Sequence, residues 1–147
     1  MKALFQRILV PHDFSRSADA ALAMAVEMAA KHRAALLVMH AIPPVYPIHG
    51  RPVLPPAAEI TQVGRQLQAR VAAAVRGRRL RSVKTWVMVG PPAGCILEAA
   101  RKADTIVMGT LGRTGLPHLL LGSVAERIVR HAAIPVLTVR ARPRRKR

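Results

Sequence analysis

The sequence predicts an open α/β fold: a three-layer, Rossmann-like sheet of five parallel strands with four helices packed on both faces. Two observations carry this expectation. Short runs of β-branched and aliphatic residues alternate with longer Ala-rich segments of helical period. The alternation runs strand-helix four times and closes on a strand, and parallel neighbours joined by crossover helices are the arrangement that buries such strands on both sides.

The elements follow in order. Gln6 to His12 reads as a buried strand around Ile8, Leu9 and Val10. Ser15 to Arg33 reads as a helix with Ser15 as N-cap, its apolar stripe formed by Ala18, Leu22, Ala25, Val26 and Ala29. Ala35 to Ala41 is a second buried strand. Ile42 to Pro56 is proline-rich and reads as a loop. Ala57 to Arg79 is a second helix, weakened or kinked near Gly64, and Val83 to Val89 a third strand in which Val83, Thr85, Val87 and Val89 alternate with Lys84, Trp86 and Met88. Pro91 and Pro92 open a third helix, Ala93 to Lys102. Thr105 to Met108 is a fourth strand, Gly109 to Leu121 a loop, Gly122 to Ala132 a fourth helix and Ile134 to Arg140 a fifth strand. The expected domain is 1–140, with 141–147 a basic, solvated and mobile tail.

With 147 residues, half of them apolar, the chain is long enough for one self-sufficient core. The single cysteine, Cys95, excludes an internal disulfide and sits in an apolar helical pattern, which reads as an inert buried thiol. No apolar run is long enough to span a bilayer, and Gln6 and Arg7 interrupt the first apolar stretch before a signal-peptide core forms, so a cytoplasmic protein is expected.

The formal net charge is +17, from 24 basic and 7 acidic residues. Six basic residues fall in the last eight positions; without them eighteen basic residues remain against seven acidic, a net +11. The body is therefore basic in its own right and attracts anions: nucleotides, nucleic acid or acidic lipid headgroups. No aromatic stacking platform or recognition motif accompanies the charge, which limits nucleic-acid binding to a sequence-independent kind.

Ligands of open parallel sheets bind beyond the carboxyl ends of the strands, where strand order reverses. Two segments are expected to meet there. One is Val10-Pro11-His12-Asp13-Phe14-Ser15. The other runs from Met108-Gly109-Thr110-Leu111-Gly112 to Gly122-Ser123 at the mouth of the fourth helix. Gly109 and Gly112 would admit a ligand close to the backbone in torsions barred to other residues. The helix mouth would hold phosphate on its unpaired amides, with Arg113 a neighbouring cation. Neither the P-loop nor the dinucleotide glycine pattern occurs. Ser123 with Glu126 also fits a capping box, and Asp13 with Ser15 also fits a helix cap, so both pairs have a purely structural reading. His12, His40 and His118 lack the spacing of a zinc set and read as structural or surface residues.

Gly109-x-x-Gly112, nine residues, then Gly122-Ser123 resembles the ATP-binding signature of universal stress proteins. Leu119 to Glu126, Ile8 to Ser15 and Ile134-Pro135-Val136 are similar to the same family, and the likeness runs from Phe5 to Arg140. The resemblance implies strand order 3-2-1-4-5. It implies ATP, with ADP or AMP as alternatives, held by Met108, Gly109, Gly112, Gly122, Ser123 and Val124 around ribose and phosphates. It places Pro11 below the adenosine and the Ala41 backbone at adenine. Asp13 would meet the ribose or a nucleotide-bound Mg2+. It also implies a homodimer paired through the last strand and a regulatory role in the stress response. No base, nucleophile and orienter set accompanies Asp13, so a nucleotide-responsive regulator is expected rather than an enzyme. A slow ATPase and a charge-driven binder of nucleic acid or acidic surfaces are the alternatives.

Overall fold

A computed structural model describes residues 4–47, 49–111 and 121–142. Gly112, Arg113, His118 and the end of the basic tail lie outside the described residues, as does most of the loop between Gly109 and Leu121.

Five parallel strands form one sheet: β1 (Arg7–Pro11), β2 (Ala35–Ile42), β3 (Ser82–Val89), β4 (Thr105–Gly109) and β5 (Val136–Val139). Their spatial order is β3-β2-β1-β4-β5. The four helices are α1 (Arg16–His32), α2 (Ala57–Val75), α3 (Pro92–Ala100) and α4 (Ser123–His131). The chain builds outward from β1 to β3, then returns to place β4 against the free side of β1. Leu9 faces Leu37 in β2 and Ile106 in β4, so β1 is the centre of the sheet and the β1/β4 seam is the switch point.

Because side chains alternate across a strand, the sheet separates two cores. Ile8, Val10, Leu36, Val38 and Val107 pack beneath α1 and α2 with Leu22, Val26, Leu67 and Val71. Leu9, Leu37, Met39, Ile106 and Met108 pack beneath α3 and α4 with Ile96, Ala125 and Ile128. Continuous apolar runs in β1, β2 and β4 are the direct signature of this two-sided burial.

The helix termini have local causes. Ser15 caps α1 by accepting from the Ala18 amide at 3.2 Å, and Arg33 closes it in the left-handed conformation, φ 51°. Helix α2 stops at Val75, four residues short of the Arg79 expected from sequence. Gly77 turns the chain at φ 73°, and helical periodicity alone does not register such a turn. Helix α2 runs through Gly64 unbroken, with Gly64 lying over Val87 of β3. An added Cβ there would sit 3.8 Å from Val87 Cγ2, an ordinary contact. Gly64→Ala is therefore expected to stabilise the protein by about 0.5–1 kcal/mol, since alanine gives up less backbone freedom on folding. A urea midpoint that falls in this variant would contradict that packing. The proline-rich connection before α2 is not wholly irregular, for Val45 and Val53 form an antiparallel bridge. Cys95 is buried beside Gly90, and burial pushes its thiol pKa up, as suits an inert core residue.

Candidate functional site

A cleft of about 550 Å3 opens at the carboxyl edge of the sheet, over the β1/β4 seam. Eight of the nine site residues expected from sequence line it. Pro11 and Asp13 come from the end of β1, Ala41 from β2, Met108 and Gly109 from β4, and Gly122, Ser123 and Val124 from the start of α4. The ninth, Gly112, lies outside the described residues. The fold thus brings together segments more than a hundred positions apart in the chain.

Asp13 sits in a tight turn: its Oδ1 accepts from the Ser15 amide at 3.0 Å. This is the supporting half of the capping arrangement foreseen for the pair, with the cap itself made by Ser15. The turn is held from below by two histidines. Phe14 donates its amide to His12 Nδ1 at 3.1 Å, which obliges that nitrogen to be unprotonated. Nε2 then carries the proton and donates to Asp19 Oδ1 at 3.0 Å. Asp19 in turn takes the Arg70 guanidinium of α2, at 2.8 Å to each carboxylate oxygen. His40 donates Nδ1–H to the His12 carbonyl at 2.6 Å. Phe14, at φ 65°, fits between the His12 and His40 rings.

The His12 imidazole is fully buried, and burial lowers its pKa below the usual 6.5 against the opposing pull of Asp19. The folded protein therefore holds His12 neutral, whereas the unfolded chain takes up a proton near pH 6.5. Stability should be level above that pH and should fall as pH drops below it, by at most about 1.4 kcal/mol per pH unit. Urea unfolding between pH 7.5 and 5.5 measures this. His12→Gln should flatten the profile, and an unchanged slope in that variant would assign the acid sensitivity elsewhere.

Helix α4 supplies the other wall. Gly122 is its N-cap, at φ −69° and ψ 162°, and no side chain caps the helix. The capping-box reading of Ser123 and Glu126 is thereby corrected. Ser123 is the first helical residue rather than the cap, and Glu126 pairs with Arg130 one turn on, at 3.0 Å. The first-turn amides of any helix lack intrahelical acceptors. Here those of Ser123, Val124 and Ala125 are in segments that line the cleft. Gly122 itself is tied back to the residue just after β4, donating to the Thr110 carbonyl at 2.6 Å.

Of the two glycines expected in special torsions, Gly112 lies outside the described residues and Gly109 works differently. Neither Gly109 nor Gly122 is among the glycines with positive φ, so neither needs a torsion closed to other residues. Gly109 is required instead by packing. A Cβ there would strike the Ser17 hydroxyl and come within 2.7 Å of the Ser17 carbonyl carbon and 2.9 Å of the Ala18 amide nitrogen. Its bareness lets the first turn of α1 close onto β4.

Several cleft residues escaped the sequence reading. Ser17 donates its hydroxyl to the Leu111 carbonyl and so links α1 to the segment after β4. Pro92 and Ile96 add an apolar wall from α3. Thr110, which falls within the 108–112 segment expected at the site, is buried, and its hydroxyl is the one buried side-chain polar atom without a hydrogen-bond partner among the described residues. Ser17 had a usable signal: a small polar residue four positions before Ala21, on the buried stripe of α1. The burial of Thr110 had none, because Gly122 at the start of α4 reaches it from a distant part of the chain.

Fold and cleft together define a doubly wound α/β protein with a ligand-sized, mainly apolar pocket at its switch point, flanked by an uncapped helix N-terminus and one carboxylate. The comparisons with known proteins agree with this class. The sequence model of the universal stress protein family matches residues 4–140. The Thermus aquaticus protein named "Universal stress protein in QAH/OAS sulfhydrylase 3'region" is 37% identical over 142 residues, covering 93% of this chain and all of the relative. The structure of universal stress protein UspA from Lactobacillus plantarum superposes with a TM-score of 0.72 at 27% identity, over 95% of this chain and all of that one. A universal stress protein solved in complex with cAMP gives 0.68 at 27% identity, again over 95% of this chain and all of the other. The chain belongs to the universal stress protein family.

Proposed function

We propose that this protein binds an adenine nucleotide, ATP foremost, in the cleft and acts as a nucleotide-responsive regulator of the stress response. The observation that carries the reading is the uncapped start of α4, whose amides meet the cleft opposite Asp13. Oriented amides and the positive end of a helix are a phosphate site that needs no lysine. The apolar wall of Met39, Ile96 and Met108 suits a purine, and Ala41, at the end of β2, offers backbone polar groups to its edge. The structural relative solved with cAMP supports the same ligand class.

Asp13 fits either ribose hydroxyls or a nucleotide-bound Mg2+, which takes one or two carboxylates together with phosphate oxygens. Bound there, the metal would supply charge neutralisation between the carboxylate and the phosphates. Among the described residues no group of three metal-ligating side chains occurs, so the nucleotide itself has to complete the coordination. Nucleotide occupancy of the cleft would alter what partners meet at this edge. In the same reading two copies pair through β5, the outermost strand beyond β4, where Leu137 is exposed.

A thermal-shift titration tests the proposal. Micromolar to millimolar ATP with Mg2+ should raise the melting temperature, since a ligand selective for the native state stabilises it by mass action. The protein has one Trp and one Tyr, so a co-purified adenylate would also raise absorbance near 260 nm conspicuously. No shift at millimolar ATP, ADP or AMP would reject the reading.

A further inference from the structure

The seven acidic residues are distributed unevenly along the strand axis. Asp13, Asp19, Glu59 and Glu126 lie in the first turns of helices or just before them, towards the carboxyl edge of the sheet, and Asp13 lines the cleft. Glu27, Glu98 and Asp104 are towards the opposite, amino edge of the sheet, and each is paired with an arginine: Arg78, Arg101 and Arg7 respectively. That edge still holds six exposed cations outside any ion pair among the described residues: Lys31, Arg33, Arg76, Arg79, Arg81 and Lys102.

Complementing helix dipoles accounts for only part of them. All four helix C-termini lie at this edge and carry roughly half a negative charge each, about −2 in total. Of the six, only Lys31 is in the last turn of a helix; α2 and α3 have no basic residue there. Arg33 and Arg76 are the C-caps of α1 and α2, and Arg79, Arg81 and Lys102 occupy the connections that follow. Sheet register sets Arg33, Arg81 and Lys102 along one row. Arg81 donates its amide to the Ala34 carbonyl at 3.1 Å, which puts it next to Arg33. Arg7 pairs with Ala35 one strand further, and Lys102 precedes β4 beyond that. At about 4.8 Å per strand the row spans roughly 14 Å.

We propose that this amino edge is a second binding surface, separate from the cleft, for the phosphodiester backbone of duplex nucleic acid. Four of the six cations are arginines, whose planar forks engage phosphate oxygens in pairs. No helix here carries the outward apolar face that would seat it in a lipid headgroup layer. Among the described residues the edge has no exposed aromatic platform, so the contact is to backbone and independent of sequence. The surface also lies at the opposite end of the strands from β5's exit into the basic tail, which makes body and tail separable.

Fluorescence anisotropy of a labelled 20-base-pair duplex with the full chain between 50 and 200 mM NaCl tests this. Arg76→Gln/Arg79→Gln/Arg81→Gln should weaken binding at least tenfold at 50 mM and reduce the slope of log K on log salt by about 2.7, at about 0.9 per phosphate contact. It should leave the melting temperature and its response to ATP unchanged. Neutralising Arg144, Arg145, Lys146 and Arg147 should leave the contribution of the triple variant intact. A wild-type salt slope in the triple variant would overturn the proposal. So would tighter binding to vesicles containing 30% phosphatidylserine than to the duplex at equal salt.

Discussion

Gly109→Ala should destabilise the protein by about 3 kcal/mol, whether or not nucleotide is present. The new methyl would meet backbone atoms of Ser17 and Ala18 at 2.7 and 2.9 Å, and backbone cannot swing aside as a side-chain tip can. The first turn of α1 would have to lift from β4. That turn carries the Ser17 bond to the Leu111 carbonyl and adjoins the Asp13–Ser15 turn, so the cleft would loosen along with the core. In a protein of this size the melting temperature should fall by about 6–12 °C. The sequence had suggested a different result, loss of ligand through direct obstruction of the phosphates. A variant with wild-type stability and no ATP response would restore that view and refute the packing account.

Ser123→Pro is the cleaner probe of the site itself. Proline is well suited to the first position of a helix, where its missing N–H breaks no intrahelical bond. Gly122, at ψ 162°, already has the extended conformation required before a proline. The substitution therefore removes one amide and one hydroxyl from the cleft at little cost to the fold. If phosphate sits on the start of α4, the lost charge-assisted bond should weaken ATP by about 10- to 100-fold. Ser123→Ala keeps the amide and should cost less. Isothermal titration of both variants decides the matter: equal affinity in Ser123→Pro and wild type would mean that the helix terminus does not hold the ligand.

The fold was largely legible because two-sided burial leaves a plain trace. Ile8-Leu9-Val10 and Leu36-Leu37-Val38-Met39 are unbroken apolar runs, and Ser15 marks the start of α1 through a hydrogen bond made within three residues. The strand order came with the resemblance to a family and not from these patterns. Periodicity misjudged the end of α2, where Gly77 turns the chain. The site was legible where it consists of short segments at strand ends. Eight expected residues line one cleft, although what each does toward a ligand is a separate matter of binding chemistry.

Sequence by itself determined the alternation of strands and helices, the two edges at which chain connections gather and the positions of Pro11, Asp13, Gly109, Gly122 and Ser123 along them. Only the tertiary structure decided that Gly109 is bare for the sake of α1, that Ser123 begins α4 without capping it, and that His12 is neutral between Phe14 and Asp19. The reason lies in range. Periodicity and caps are fixed by neighbours a few residues apart, whereas the space around Gly109 and the solvent lost by His12 are set by segments that meet only when the sheet closes.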